Sequence, residues 1–378
     1  MSGANGGMAK TLAVDARALW GSGIGRYTRE IIGGLAALGG FDRIRLIGAP
    51  KELEPFVASL SPAAKLEIIA LKGGRYSPVA QAGWMAIMAR GDIADVTLFP
   101  HWDVPLLELP KRSVVTIHDL IHLRVKGAAS AARRAVARAM IGRAVKGGTR
   151  LIADSAFTQR DLIAEFPDAA GRVDVVPLGV SEIFSRTPAP QASGLRLPAS
   201  YILCVANRKP HKNLLAAVEV LSNLAPTHRT LRMVFAGERF PAWKQTMDRA
   251  RELNVEDRIV DLDAISDETL HALYANAAVY LHPSRYEGFG FPILEAMASG
   301  APVVASNATS IPEVAGRAAA LVDPDDIEAM TAAVARLLDS RVERERATAA
   351  GRRQAALFSW SRTAAATQRI LLNVAAAA

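Results

Sequence analysis

The sequence predicts an α/β protein with two domains, each containing a parallel β-sheet flanked by helices. Short apolar runs alternate with helical patterns along the whole chain, which is typical of strand–helix–strand units. The 378 residues are too many for one ordinary hydrophobic core, and half of them are hydrophobic, so two domains can each bury a core. Residues 185–199 are rich in proline and small side chains and are the predicted linker.

Five apolar runs in the first half are predicted strands: residues 11–17, 44–49, 66–71, 95–100 and 113–117. The first of these strands is followed by a predicted helix over residues 26–38, and the last ends directly before His118. Open α/β sheets bind ligands at the carboxyl ends of their parallel strands. His118 is therefore a candidate site residue, although a lone histidine is more often structural.

The stretch YLHPSRYEGFGFPILE has the clearest chemistry. A short apolar strand passes through a loop containing Gly288 and Gly290 and enters a segment predicted to begin a helix at Ile293. The unpaired N–H groups and the positive dipole end of a helix N-terminus attract anions. Glu287 and Glu295 would repel a phosphate, so their predicted partners are neutral hydroxyl groups, as on a sugar or a ribose.

A second loop, NRKPHKN, carries three cations, Arg208, Lys209 and Lys212, between a predicted strand over 201–206 and a predicted helix over 214–224. Cations in a loop that leads into a helix would neutralise a diphosphate, because they add charge to the N–H groups of the helix. The alternative interpretation is a solvated loop.

The glycine-rich segment GSGIG follows the first strand and contains Gly23 and Gly25. Its spacing differs from that of the dinucleotide-binding fingerprint, which disfavours a dehydrogenase.

The positive charge lies mostly in the first half. Residues 1–180 hold 23 Lys and Arg against 16 Asp and Glu, so they carry +7 of the net charge of +8. A stretch without any acid contains eight cations: Arg124, Lys126, Arg133, Arg134, Arg138, Arg143, Lys146 and Arg150. Such a stretch can face an anionic membrane or simply water, whereas nucleic acid is disfavoured because no aromatic residues or recognisable binding module accompany the charge. Val136, Met140 and Ala144 recur every four residues and are predicted to face the core.

The single cysteine, Cys204, lies in an apolar run, and one cysteine allows no disulfide within the chain. No run of about 18 apolar residues is present, and the first residues lack the pattern of a secretory signal. We therefore expect a cytoplasmic protein, peripheral on the inner face of the membrane if the basic stretch binds lipid.

Glu287 and Glu295, set in EGFGFPILEAMASG, resemble the paired-glutamate signature of retaining glycosyltransferases of glycosyltransferase family 4. The resemblance extends over essentially the whole chain from Thr11. It implies the GT-B fold, in which two Rossmann-like domains face a central cleft and the last helix crosses back to the first domain. The implied boundaries are 9–184, a linker at 185–199, 200–360, and a returning helix at 361–378.

The resemblance also implies roles for the candidate residues. His118 would lie near the donor sugar and contribute to catalysis, and Glu287 would hold the same sugar. Lys212 would bind the donor diphosphate together with a second cation, which is Arg208 in the first instance, with Lys209 or His211 still open. The remaining donor contacts would come from Gly23, Gly25, the backbone at Ile265, the loop residues Gly288, Phe289 and Gly290, and Glu295 on the ribose.

The resemblance implies a reaction without a metal ion. Two carboxylate pairs, Asp261 with Asp263 and Asp323 with Asp325, could be mistaken for metal ligands. The first pair directly precedes a segment that resembles the nucleotide-base contact of the family, and the second forms a polar turn before a helix. Neither pair is expected to bind metal.

The expected function is retaining transfer of a mannose-like hexose from a nucleotide sugar to a lipid-linked saccharide in cell-surface polysaccharide biosynthesis. The segment NRKPHKNL and the basic first domain resemble mannosyltransferases, which suggests a GDP-sugar as donor. The alternatives are a sugar-nucleotide epimerase of the GT-B fold, and a transferase that uses a UDP-sugar and a soluble acceptor.

Overall fold

The computed structural model describes residues 10–21, 23–186 and 197–377. These residues form two compact units. The first unit contains the described residues up to Leu120, Ala131–Gly179 and the chain from Trp360 onward, and the second contains Ile121–Ser130 and the described part of Val180–Ser359. Most of the linker predicted at 185–199 lies outside the described residues.

The first unit is organised by a sheet of seven parallel strands. They are β1 (Thr11–Asp15), β2 (Arg43–Gly48), β3 (Lys65–Ala70), β4 (Val96–Phe99), β5 (Ser113–Ile117), β6 (Arg150–Ala153) and β7 (Val173–Val175), in the order β3-β2-β1-β4-β5-β6-β7. Every residue of the central strands β4 and β5 is buried, as expected when helices cover both faces of a parallel sheet.

The second unit repeats this plan with six parallel strands. They are β8 (Tyr201–Val205), β9 (Arg232–Ala236), β10 (Ile259–Leu262), β11 (Val279–His282), β12 (Val303–Ser306) and β13 (Ala320–Val322), in the order β10-β9-β8-β11-β12-β13. In both sheets the strand order reverses beside the first strand, between β1 and β4 and between β8 and β11. Such a reversal opens a crevice at the carboxyl ends of the strands.

Helices connect the strands. In chain order they are α1 (Gly23–Leu38), α2 (Pro50–Ala58), α3 (Pro78–Met88), α4 (Ile121–Arg124), α5 (Ala131–Gly147), α6 (Ala156–Glu165), α7 (Leu214–Leu224), α8 (Trp243–Glu252), α9 (Asp267–Asn276), α10 (Phe291–Ser299), α11 (Ile311–Ala315), α12 (Ile327–Asp339), α13 (Arg341–Ala355) and α14 (Trp360–Ala376). Among the described residues, no helix combines the length and the apolar character needed to cross a bilayer.

The C-terminal helix α14 belongs to the first unit, where it packs against α1. Thr363 donates a hydrogen bond to the carbonyl of Pro177 at 2.8 Å, which ties the helix to the end of the first unit. The two Rossmann-like sheets and the returning helix confirm the predicted α/β class.

Two predicted helix starts were wrong by two or three residues. Helix α1 begins at Gly23 rather than at residue 26, so Gly23 and Gly25 lie in its first turn rather than in a loop. A Cβ at Gly25 would lie 2.9 Å from the backbone of Trp20, so the preceding loop packs directly against this turn. Helix α10 begins at Phe291 rather than at Ile293, because Gly290 adopts the positive φ of 111° that leads the chain into the helix.

The prediction for the core face of α5 was wrong at one position. Met140 and Ala144 are buried as expected, but Val136 is 58% exposed. Ala137 and Ile141 are buried instead. The buried stripe therefore runs one residue later at the start of the helix, because the spacing of four residues drifts around a helix that has 3.6 residues per turn.

The contact between α1 and α14 gives a prediction about stability. A Cβ added at Gly34 would lie 2.5 Å from the Cβ of Ala364, whereas one added at Gly33 would meet only Leu60, at 3.6 Å. Gly34→Ala should therefore lower the free energy of unfolding by about 1–3 kcal/mol through overpacking. The matched variant Gly33→Ala should be neutral or stabilise by up to about 1 kcal/mol, because alanine favours helix more than glycine does. Urea denaturation of both variants measures the difference, and equal stabilities would contradict this account of the contact.

Candidate active site

The candidate site lies at the carboxyl ends of β8 and β11, where the strand order of the second sheet reverses. These strands are direct neighbours, with Ile202 opposite Val279. The loop 206–213 follows β8, and the loop 283–290 follows β11. Since both loops leave the same edge of the sheet, the two motifs singled out in the sequence meet there.

Lys212 and Glu287 form the central contact of the site. The Nζ atom of Lys212 donates hydrogen bonds to both carboxylate oxygens of Glu287, at 2.7 and 2.9 Å. Nε2 of His282 lies 3.0 Å from Oε1 of the same carboxylate, and Nδ1 of His282 lies 2.9 Å from the hydroxyl of Tyr280. With its proton on Nε2, His282 donates to Glu287 and accepts from Tyr280, so both ring nitrogens of His282 have a hydrogen-bond partner.

These neighbours keep Glu287 ionised. Burial alone would raise the pKa of Glu287, but the charge of Lys212 and the hydrogen bonds from His282 and Lys212 outweigh burial and hold that pKa well below its usual range. The site therefore contains a carboxylate that can only accept hydrogen bonds, beside an ammonium group that neutralises it.

The loop that carries Glu287 is fixed by its own hydrogen bonds. The backbone N–H of Glu287 donates to Oγ1 of Thr309 at 3.0 Å, and the hydroxyl of Ser310 lies 3.0 Å from the carbonyl of Glu287 and 2.9 Å from that of Phe289. The buried ring of Phe289 packs edge-on against Phe291. The segment containing Gly288, Phe289 and Gly290 is therefore held in one shape directly before the N-terminus of α10.

Glu295 lies on α10 and is buried. The hydroxyl of Tyr274 lies 3.1 Å from its Oε2 atom. Tyr274 also packs edge-on against Tyr280, with ring centroids 5.3 Å apart, and Tyr280 in turn contacts His282. A continuous set of aromatic and polar side chains thus links the two glutamates.

Arg208 and Lys212 have different partners in the structure. The guanidinium of Arg208 is buried, donates to the carbonyl of Leu262 at 2.6 Å and forms an ion pair with Asp261. Its centre also lies 4.2 Å from the ring centroid of Trp243. In this conformation Arg208 is engaged at the end of β10, while Lys212 is engaged with Glu287.

The other two candidates for the second cation differ in charge and contact. Burial and the neighbouring Lys212 lower the pKa of His211 to about 4, so His211 is neutral at pH 7. Lys209 lies over the ring of Phe240, with Nζ 4.9 Å from the centroid. The ammonium of Lys209 therefore lies against an aromatic face, and His211 is the weakest of the three candidates for binding an anion.

The two carboxylate pairs that resemble metal ligands have protein partners. Asp261 accepts hydrogen bonds from Arg239 at 3.1 Å and from the indole of Trp243 at 3.0 Å. Asp325 accepts from Arg285 at 2.6 Å.

Ile265 is half-buried and lies between β10 and α9. It directly precedes Ser266, whose hydroxyl caps α9 by accepting a hydrogen bond from the backbone N–H of Thr269.

His118 lies at the carboxyl end of β5 in the first unit. Its Nδ1 atom is 2.6 Å from Oδ2 of Asp154, and its Nε2 atom is 2.9 Å from the carbonyl of Pro100. A carbonyl can only accept, so Nε2 carries a proton, and the short contact with Asp154 holds a second proton between the two side chains. Burial lowers the pKa of His118, but the charge and hydrogen bond of Asp154 outweigh it, and the net pKa is raised.

The ring of His118 is also held by packing. Tyr27 meets it edge-on, with ring centroids 4.8 Å apart, and the Tyr27 hydroxyl lies 2.9 Å from Oγ1 of Thr116. The imidazole is thus fixed in both position and protonation.

Two of these residues were missed in the sequence: His282, which holds Glu287, and Asp154, which holds His118. A signal for Asp154 was present, because β5 and β6 pair with Ile117 opposite Ala153, so the residue after each strand lies beside the other. His282 likewise ends the strand that leads to Glu287. Once the strand order is known, Asp154 and His282 can both be identified as partners of the predicted site residues.

Comparison with known proteins identifies both halves of the chain. The family described as "Glycosyl transferases group 1" matches residues 185–354, and the family described as "Glycosyltransferase Family 4" matches residues 21–182.

Two similar proteins are named as mannosyltransferases. The O-antigen chain mannosyltransferase B of Escherichia coli is 31% identical over 260 residues, which cover 66% of this chain and 67% of that protein. The MMP alpha-(1->4)-mannosyltransferase of Mycolicibacterium hassiacum is 35% identical over 223 residues, which cover 57% of this chain. The match spans 52% of the length of that second relative.

Solved structures show the same fold at low sequence identity. The sucrose-phosphate synthase of Thermosynechococcus elongatus superimposes with a TM-score of 0.77 at 19% identity, covering 98% of this chain and 100% of that one. The matches to both family descriptions and to the Escherichia coli relative lead to one conclusion. This chain belongs to glycosyltransferase family 4 and is a glycosyltransferase with the GT-B fold.

Proposed function

We propose that this glycosyltransferase transfers mannose from GDP-mannose to a lipid-linked saccharide, with retention of the anomeric configuration and without a metal ion. The hexose is supported by the two relatives named as mannosyltransferases, and the polysaccharide acceptor by the O-antigen relative. The observation that carries the proposal is the ion pair of Lys212 and Glu287, whose side chains are only 13% and 11% exposed, in the loops that follow β8 and β11.

Lys212 and the N-terminus of α10 neutralise the negative charge of the leaving group. As the bond between the sugar and the diphosphate breaks, negative charge grows on the phosphate oxygens. The ammonium of Lys212 can turn from Glu287 toward that charge, and the positive dipole end of α10 adds its partial positive charge. Lys209, three residues before Lys212 in the sequence, is a further candidate cation for the diphosphate, because it has no carboxylate partner among the described residues.

Glu287 acts on the sugar in this proposal. An ionised carboxylate fixed by His282 and Lys212 accepts hydrogen bonds from sugar hydroxyls and stabilises the positive charge of an oxocarbenium-like transition state. Glu295 accepts hydrogen bonds from the ribose. Asp154 keeps Nδ1 of His118, and Nε2 exchanges the carbonyl of Pro100 for a sugar oxygen, to which it donates as the donor binds.

Retention follows from attack on the face that the diphosphate leaves. The bond between the anomeric carbon and the phosphate oxygen breaks, the bond to the acceptor oxygen forms, and the departing phosphate oxygen takes the acceptor's proton. No divalent cation is required in this scheme, because Lys212 and the helix N-terminus neutralise the leaving group. Asp261 and Asp325 each have an arginine partner, which supports a reaction without a divalent cation.

A panel of donors tests the proposal directly. GDP-, UDP- and ADP-sugars are compared for thermal stabilisation of the protein and for transfer to a lipid-linked saccharide. GDP-mannose should stabilise the protein most and yield an α-linked product. A preference for UDP-sugars would show that the donor is a UDP-sugar and not GDP-mannose. Release of nucleotide together with an altered free sugar in the absence of acceptor would favour an epimerase.

Lys212 should be needed for donor binding, whereas a metal should not. Transfer should persist in excess EDTA, and Lys212→Ala should weaken nucleotide binding by about 1.5–3 kcal/mol, the range for hydrogen bonds to charged groups. Titration calorimetry measures the affinity, with Lys244→Ala on the exposed face of α8 as the control. Activity that disappears in EDTA and returns with a divalent cation would overturn metal independence.

The two glutamates should show different kinetic defects. Glu295→Gln should mainly raise KM for the donor, because ribose contacts are made equally before and during the reaction. Glu287→Gln should mainly lower kcat, because its charge acts on the transition state. Steady-state kinetics of both variants decides, and indistinguishable profiles would contradict the assignment of roles.

Asp154 should control the protonation of His118. Since the folded pKa of His118 is raised, the pair stabilises the protein fully below the unfolded histidine pKa of about 6.5 and less as the pH rises through the folded pKa. The stability lost in Asp154→Asn should therefore be about 1–3 kcal/mol at acidic pH and should shrink above neutrality. Urea denaturation across pH 5–9 measures this loss, and a loss that grows with pH would refute the assignment.

A further inference from the structure

The first unit contains a charged cleft that the proposed reaction does not use. Its walls come from the end of β1 (Asp15 and Arg17), the loop after β3 (Arg75) and the end of β4 (His101 and Asp103). Strands β1 and β4 are the neighbours between which the strand order of the first sheet reverses. Open α/β sheets bind ligands at such a reversal, so this Arg17 cleft lies where a ligand site is expected.

Arg17 is the centre of the cleft. Its side chain is 2% exposed and lies between two carboxylates, those of Asp15 and Asp103, which are 7% and 1% exposed. The Nε and Nη2 atoms of Arg17 donate to the carboxylate of Asp15 at 2.9 and 2.6 Å. Nη2 also donates to the backbone carbonyl of Asp103 at 2.7 Å. These contacts fix the guanidinium in one orientation.

Two buried polar atoms of the cleft have no hydrogen-bond partner among the described residues. They are Nη1 of Arg17, which is a donor, and Oδ1 of Asp103, which is an acceptor. Nη1 lies 3.3 Å from the other carboxylate oxygen of Asp103, so the donor and the acceptor belong to adjoining groups. Burial outweighs the charge of Arg17 and raises the pKa of Asp103, because the carboxylate has too few hydrogen-bond donors. A ligand that supplies both missing hydrogen bonds would be favoured here.

The size and the charge of the cleft fit one hydroxyl group. The cleft has a volume of about 10 Å³, which is close to the space that one water molecule or one hydroxyl group needs. A hydroxyl group can donate to Asp103 and accept from Arg17 at the same time. A phosphate is too large for this space, and it would meet the carboxylates of Asp15 and Asp103. The cleft therefore suits a neutral ligand that carries hydroxyl groups.

An aromatic ring lies beside the cleft on a strained turn. Tyr76 has a positive φ of 59°, a backbone conformation that is rare and costly for a bulky residue. Asp103 holds Tyr76 in this conformation, because its Oδ2 atom accepts the backbone N–H of Tyr76 at 2.8 Å. The ring packs against Trp102, with ring centroids 5.4 Å apart, and is nevertheless 47% exposed. The same carboxylate thus lines the cleft and fixes an exposed aromatic face next to it.

The cleft is close to His118. Nδ1 of His101 accepts a hydrogen bond from the backbone N–H of Asp103 at 3.1 Å, which ties His101 to the cleft. The rings of His101 and His118 are stacked, with centroids 6.3 Å apart. A ligand in the cleft therefore lies near the residue that is proposed to contact the donor sugar.

We propose that the Arg17 cleft and Tyr76 select the acceptor by binding one neutral pyranose ring. One hydroxyl group of that ring enters the cleft between Arg17 and Asp103, and the C–H face of the ring packs on Tyr76. A sugar has both features, hydroxyl groups at its edge and C–H groups on its faces, whereas a lipid chain or an inorganic anion lacks one of them. The inference deepens the proposed function and rests on it in one respect, that the acceptor is a saccharide.

Acceptors that lack single hydroxyl groups test the cleft. Octyl α-glycosides of mannose, glucose, galactose and N-acetylglucosamine are compared as acceptors for the full chain, with the donor that the donor panel selects. The best acceptor is then compared with its monodeoxy derivatives. Apart from the position that receives the new sugar, one deoxy position should lower kcat/KM by roughly tenfold to a hundredfold, because Arg17 and Asp103 then lose their common partner.

Asp103→Asn separates ligand binding from folding. The amide has the shape of the carboxylate, and when its oxygen accepts the Tyr76 N–H, its NH₂ group replaces the acceptor Oδ1 in the cleft. The variant should lose roughly tenfold to a hundredfold in kcat/KM with the complete acceptor, and its discrimination against the sensitive deoxy acceptor should fall to about threefold or less. A merely structural role would lower activity with both acceptors alike. Asp174→Asn, which removes the carboxylate partner of Arg150 in the same unit, should change neither value.

Two variants test the aromatic face. Tyr76→Ala should raise KM for the acceptor by roughly threefold to tenfold, whereas Tyr76→Phe should leave it unchanged, because the ring makes the contact. KM for the donor should stay the same in both variants. Leu38→Ala, which shortens a similarly exposed side chain at the end of α1, is the control and should not affect KM for the acceptor.

Three outcomes would overturn the inference. They are deoxy acceptors that all react as well as the complete one, which would leave the cleft to a water molecule, an unchanged discrimination in Asp103→Asn, and failure of all four neutral glycosides while the donor is still hydrolysed. Hydrolysis of GDP-mannose without acceptor, measured on the same samples, keeps the two proposals apart. Deoxy discrimination that Asp103→Asn abolishes, seen only with another donor, would contradict only the proposed donor. Normal hydrolysis of GDP-mannose without such discrimination would contradict only the acceptor site.

Discussion

The ion pair between Lys212 and Glu287 is the constraint on which the candidate site depends. A carboxylate buried at the end of β11 would take up a proton unless cations and hydrogen-bond donors compensated its charge. Lys212 and His282 provide that compensation, and Tyr280 in turn fixes His282. Breaking such a pair is costly because it leaves one charge buried alone. The loops after β8 and β11 are therefore held together by this contact.

Both units obey the same rule of parallel sheets. A parallel sheet sends all its strand ends to one edge, and a reversal of strand order leaves a gap between the loops at that edge. In the second unit the gap contains Lys212 and Glu287. In the first unit, β5 and β6 end beside each other and bring His118 to Asp154. In both units, side chains of opposite charge thus meet at the carboxyl ends of neighbouring strands, although the residues are different.

The first unit carries most of the net positive charge. Some of its cations have carboxylate partners, as where Arg150 meets Asp174 and Arg138 meets Glu165. Arg134 and Lys146 have no comparable carboxylate partner among the described residues. The contacts, and not the spacing of the cations in the sequence, show which of them have a carboxylate partner.

The sequence by itself determined the α/β class, the strand ends that carry His118 and Glu287, and the loop that carries Lys212. These features follow from local patterns, namely apolar runs, glycines and prolines, which act over a few residues. The tertiary structure alone decided the partners. Asp154 lies 36 residues from His118 in the chain, and Glu287 lies 75 residues from Lys212, so each contact exists only because non-adjacent segments end at the same sheet edge. The engagement of Arg208 with Asp261 was likewise decided by packing between segments that no local pattern connects.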